Sequence, residues 1–154
     1  MQRAVERQNV NVIASAVVAG ITGGVLIDAF LAVVNHMSPI AIWQFVASAL
    51  VGGVAYTSTS YAVLGFIMHF AISIAWALIY AAAAGALPAL VRKPVLGGLL
   101  YGVVVMFGMT MLLALKHVGP AGVPDALTLA KSLIAHTVFF GLPVALVISK
   151  GIRA

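Results

Sequence analysis

The chain has no cysteine, only three acidic residues, and only 7% charged residues in total. Each shortage excludes something. Without cysteine there is no disulfide, thiolate metal site, iron–sulfur cluster or cysteine nucleophile, so metal chemistry would have to rest on His, Asp, Glu or Met. Charge this sparse lies far below the quarter or so of residues usual in soluble domains. The Gly-x-Ser-x-Gly elbow, the His-Glu-x-x-His helix and the phosphate-binding loop are all missing, and the expectation is a protein that is not an enzyme.

What is present is apolar. Hydrophobic residues make up 64% of the 154 positions, and the mean hydropathy is +1.19. Runs of about 20 apolar residues, enough to cross a bilayer core of roughly 30 Å, recur along the chain and call for helices rather than barrel strands. The fold class is therefore all-α, a single integral membrane domain. The net charge of +5 comes from Lys and Arg in loops and at the termini, which reads as topology and anionic headgroups; no nucleic-acid partner is expected.

The expected spans are about 12–34, 61–84, 95–115 and 132–149. The first apolar run is too long for the core of a cleaved signal and is read as a retained span. Residues 40–57 are borderline, and charge asymmetry arbitrates. If they do not cross, Arg3, Arg7, Arg92, Lys93, Lys150 and Arg153 all fall on one side; if they cross, that bias largely disappears. The reading is a four-transmembrane-helix bundle with both termini cytoplasmic and a re-entrant or interfacial helix at 40–57, where Trp43 and Tyr56 serve as interface anchors. The loop before the last span carries Gly119, Pro120, Gly122, Pro124 and Asp125, and Pro143 predicts a kink inside that span.

Helical spacing picks out contact faces. Ala16, Gly20, Gly24 and Asp28 recur every four residues, a track of small side chains ending in a carboxylate. Gly65, His69, Ser73 and Ala77 form a similar stripe on the second span, and Gly98 and Gly102 a small-x-x-x-small pair on the third. Asp28 should face protein, since an acid at mid-membrane costs about 3 kcal/mol. Met68, Met106, Met109 and Met111 are read as packing.

Counting at 1.5 Å per residue puts His136 about 7 Å, Asp28 about 9 Å and His69 roughly 12 Å below the outer edge. His36 and His117 end their helices at the outer face. Three readings of Asp28, His69, Ser73 and His136 follow. The first is a buried interhelical polar cluster in an accessory or structural subunit, with bonds of about 0.6 kcal/mol each. The second is a noncovalent b-type haem or a metal held by His69 and His136. The third is an oligomeric proton-coupled transporter of small molecules. The small-residue stripes also raise the expectation of a membrane-protein partner or a homo-oligomer alongside the lipid bilayer.

Taken together, Gly24 to Asp28, Trp43 to Ser48, Gly65 to Ser73, Tyr80, Pro94 to Gly102 and Ala135 to Pro143 resemble small bacterial inner-membrane proteins of the YagU-like kind. That resemblance implies a four-span inner-membrane protein linked to acid or stress tolerance and brings no catalytic residue with it. The chain is also similar to small multidrug transporters in span number and in its acid on the first span. It departs from them in its charge bias, longer loops and an acid nearer the outer face.

Overall fold

The computed structural model describes residues 2–118 and 124–153, with side chains from residue 11 onward. The expected loop residues Gly119, Pro120 and Gly122 and the side chains of Arg3 and Arg7 lie outside that range. Every element among the described residues is helical: α1 (Gln2–Asn35), α2 (Pro39–Val51), a 3-10 segment (Gly52–Tyr56), α3 (Ser60–Ala86), α4 (Pro88–Arg92), α5 (Pro94–Leu115), α6 (Ala126–Ile134), a π-helical segment (Ala135–Gly141) and α7 (Leu142–Arg153).

Five stretches are long and apolar enough to cross a membrane by length and composition, and Pro39–Tyr56 has the lowest mean hydropathy of them, 1.5 against 1.9–2.2 for the others. The outer surface is what lipid contact requires. Val33, Phe107, Met111 and Leu115 are 64–72% exposed, the reverse of a soluble protein's large apolar side chains.

Proline positions explain several helix starts. Pro39, Pro88 and Pro94 each open a helix, where a missing N–H costs nothing because the first turn has no acceptor for it. At the start of α2, Ser38 caps the Ala41 N–H at 3.2 Å. The last helix starts at Ala126 rather than Ser132, because the Asp125 carboxylate accepts from the Thr128 N–H at 2.9 Å. The expected disturbance at Pro143 takes the form of the π-helical segment just before it, where the Leu142 N–H reaches back to the Thr137 carbonyl.

Small residues set the helix pairing. A Cβ on Gly20 would meet the Ile74 backbone at 2.6 Å, Gly24 faces Phe70 and Ser73, and Asp28 meets His69, so numbers fall along α3 as they rise along α1. The two helices are antiparallel. Gly97 lies against Tyr80 and Gly108 against Trp76, which makes α3 and α5 antiparallel as well. Gly98 abuts Gly141 and Leu142, while Gly102 abuts His136 and Thr137, so the π segment and α7 run back along α5. The C-terminal end of α1 and the N-terminal end of α3 consequently lie at one end of the molecule, the His36 end. α2 begins and ends there.

The core holds mostly small and medium residues: Ala16, Ala19, Ala77, Tyr80, Val144, Ala145 and Ile148 are fully or almost fully buried. Dense packing of small side chains fits helices that associate in lipid, where close backbone approach replaces the hydrophobic effect. Ala16, Gly20, Gly24, Gly65, Gly98 and Gly102 are all buried inside the chain.

Candidate functional site: a buried carboxylate beneath α2

α1 ends in a turn that fixes where α2 starts. His36 adopts a left-handed conformation (φ 52°), the Met37 N–H bonds to the Ala32 carbonyl at 3.1 Å, and the Lys131 ammonium caps the Val34 carbonyl at 3.0 Å. α2 then lies directly on α3. A Cβ at Gly65 would overlap the Trp43 carbonyl, so glycine is what permits this contact.

The close approach carries the Trp43 side chain to the first span. Its indole N–H donates to Asp28 Oδ2 at 2.9 Å. On the other side of the carboxylate, His69 Nε2 lies 3.3 Å from Oδ1 and 3.2 Å from the Gly24 carbonyl. Both neighbours of that nitrogen are acceptors, so Nε2 carries the hydrogen and points it between them. Asp28 Oδ1 has ion-pair proximity to His69 but no hydrogen bond of its own. Asp28 is 9% exposed, and its approach to His69 is the one close contact between an acidic and a basic side chain among the described residues. An aromatic series packs beside it: Trp43 edge-on to Phe66 at 5.1 Å, Phe66 against Phe70 at 4.8 Å, and Phe70 edge-on to His69 at 5.2 Å.

His136 is not in that contact. Its Nδ1 donates to the Ser132 carbonyl at 2.8 Å, so its partner is on its own helix. It lines, together with Asp28, His69 and Ser73, a cavity of about 190 Å³ whose roof is Ile42, Phe45 and Val46 of α2. The expected four-residue cluster is thus a direct Asp28–His69 pair with His136 on another wall of the cavity. The depth count put the three at similar levels, and they line one cavity, but it carried no information about rotation around each helix axis. Ser73 is buried one turn from His69, and no hydrogen bond joins the two. His36 and His117 (φ 53°) are exposed and share one role: each is the left-handed residue that ends its helix, with the Val118 N–H returning to the Leu113 carbonyl at 3.0 Å in the second case.

Trp43 is the residue that sequence reasoning missed, having assigned it to the interface. A usable signal existed. An indole N–H is a donor without an acceptor on its own helix, and Asp28 is the single acid inside the apolar runs. The site is also one-sided. Between the cavity and the Arg92 end, α1 and α3 touch through Gly20 and Ile74, and Gly23 is filled by Phe140 and Val144. Chemically, the arrangement can hold one buried carboxylate, share a proton between it and an imidazole, and keep α2 attached to both neighbours. Among the described residues no three of His, Asp and Glu come together as a metal-binding group.

No family model, curated protein or solved structure matches the chain.

Proposed function

We propose that this chain is a non-enzymatic integral membrane protein of four spans, α1, α3, α5 and α6 with α7, and that α2 is a re-entrant helix roofing the outer half. The support is that α2 starts and ends at the His36 end. Its biological role is that of an accessory or structural subunit, and the observation that carries this reading is the Asp28 carboxylate bonded by Trp43 of α2 and paired with His69 of α3. One buried acid held from two elements serves as a fastening. The direct contacts of Gly20 with Ile74 and of Gly23 with Phe140 and Val144, which lie between this cavity and one of about 720 Å³ at the Arg92 end, favour it over a transport route, which needs a polar way through. Arg92, Lys93, Lys150 and Arg153 gather at the end opposite His36, and the positive-inside rule makes that end cytoplasmic. The YagU-like resemblance points to a bacterial inner membrane.

Because the small-residue stripes are used inside the chain, a partner or second copy would dock on the exposed large apolar faces. Purification from native membranes in mild detergent tests the role. A stoichiometric partner or a stable homo-oligomer is expected, and a lone monomer would overturn it. The haem or metal reading keeps one observation in its favour, that His69 and His136 line the same cavity. His69 Nε2, however, is engaged by Gly24 and Asp28, leaving only Nδ1 for a ligand bond. An absorbance spectrum of the purified protein without a Soret band, together with a metal assay at background, is the expected result.

A further inference from the structure

Two cavities adjoin beneath α2. The first is the polar one of about 190 Å³; the second, about 180 Å³, shares Phe45, Val46, Ile72, Met109 and Leu113 with it and adds apolar groups together with Lys116. The second cavity runs sideways between α3 and α5, and its walls include Leu50 and Leu112, which are 63% and 40% exposed. It therefore leads from the polar cavity toward the lipid-facing surface.

The two ends differ in chemistry. At the polar end Asp28 Oδ1 lacks a hydrogen bond of its own, and His136, whose Nδ1 hydrogen is given to Ser132, has Nε2 as an acceptor in its neutral form. No Lys or Arg lines the polar cavity, so no fixed positive charge there favours an anion. Thr110 and Ser132 add hydroxyl groups, and the Trp76 indole adds an aromatic wall that attracts cations. The groups waiting for partners are acceptors and one carboxylate. An ammonium head brings three donors and the matching charge.

We propose that the paired cavities bind a single-chain lipophilic amine. Its ammonium head sits among Asp28, His136 and Thr110, and its hydrocarbon tail lies in the second cavity between α3 and α5 beneath α2. Entry is lateral, from the bilayer. The site rests on the re-entrant placement of α2, which cysteine mapping of topology tests separately.

The chain reports on this site without a label, since its only two tryptophans are Trp43, bonded to Asp28, and Trp76, which lines the cavity. Dodecylamine is titrated into the protein in phosphatidylcholine nanodiscs while tryptophan fluorescence is followed, with dodecanol and dodecanoate as parallel arms. The expected result is a saturable change with dodecylamine, at least tenfold weaker with dodecanol and absent with dodecanoate. Asp28→Asn, which keeps an acceptor for Trp43, should weaken the amine at least tenfold. Thr110→Phe, which leaves the Asp28–His69 pair in place and fills the cavity, should abolish saturation. A change that is linear in every arm, or equal affinity for amine and alcohol, overturns the proposal. Undiminished affinity in folded Thr110→Phe overturns it as well.

Discussion

The Trp43 indole donates to Asp28 Oδ2 over 2.9 Å, so a residue near the start of α2 holds the one carboxylate of the first span. α2 would otherwise be attached to its surroundings by apolar packing, a Gln44 bond to the Ser58 carbonyl and a Tyr56 hydroxyl bond to Ser48 Oγ. The indole turns a loosely covering helix into a fixed one.

Removing that donor should release α2. Trp43→Phe keeps an aromatic ring against Phe66 but deletes the N–H together with part of the indole, leaving Asp28 Oδ2 unpaired. A loss of about 1–2 kcal/mol is expected in denaturant unfolding, with amide exchange accelerated in residues 39–51 before the rest of the chain. Exchange that rises evenly along the chain would mean that the bond does not anchor α2 in particular.

Two glycines of α3 should respond in opposite directions to the same substitution. At Gly65 an added methyl collides with the Trp43 carbonyl, and no flexible side chain is there to yield. At Gly85 a Cβ meets nothing within 4 Å. Replacing helical glycine by alanine gains up to about 1 kcal/mol when space allows. Gly85→Ala should therefore raise the unfolding midpoint in detergent while Gly65→Ala lowers it, and a rise in both would show that α2 can move away from α3 cheaply.

His36 and His117 sit at positive φ where glycine is favoured, and a non-glycine residue there costs roughly 1–2 kcal/mol. His36→Gly and His117→Gly should each stabilise the protein by about 1 kcal/mol. Thermal unfolding of the two single variants checks this, and a destabilised variant would reveal a contact made by the imidazole itself.

The start of the last helix should be sensitive to acid. The Thr128 N–H and hydroxyl, at 2.9 Å each, hold the Asp125 carboxyl below the ordinary carboxylate range. A depressed carboxylate contributes stability that is complete above its unfolded value near pH 4 and is lost as pH falls through the lower folded value. Protection of the Thr128 amide, its exchange rate relative to that of an unstructured chain at the same pH, should fall over that acidic window, and Asp125→Ala should show the low protection at every pH.

Much of this was legible in the residues. The all-helical class follows from run length, and the small-residue stripes identify the contact faces because period 3.6 places i and i+4 together. What the sequence could not supply was rotation and partner choice. His136 has the right depth to meet Asp28 yet bonds to Ser132, because the π-helical segment and its crossing with Gly98 and Gly102 set the helix phase through tertiary contact. The start of the last helix at Ala126 was hidden for a different reason: its first turns are only mildly apolar, and the cap at Asp125 rather than hydropathy defines it. Trp43 was concealed by a general preference of indoles for membrane interfaces, which a buried acceptor nearby overrides.

Single cysteines in this cysteine-free chain test the placement of α2 most directly. Met37→Cys, Thr59→Cys and Lys93→Cys are labelled with a membrane-impermeant maleimide in oriented membrane vesicles. With α2 re-entrant, positions 37 and 59 label from one side and position 93 from the other. Positions 37 and 93 labelling together, with 59 opposite, would mean that α2 crosses the membrane.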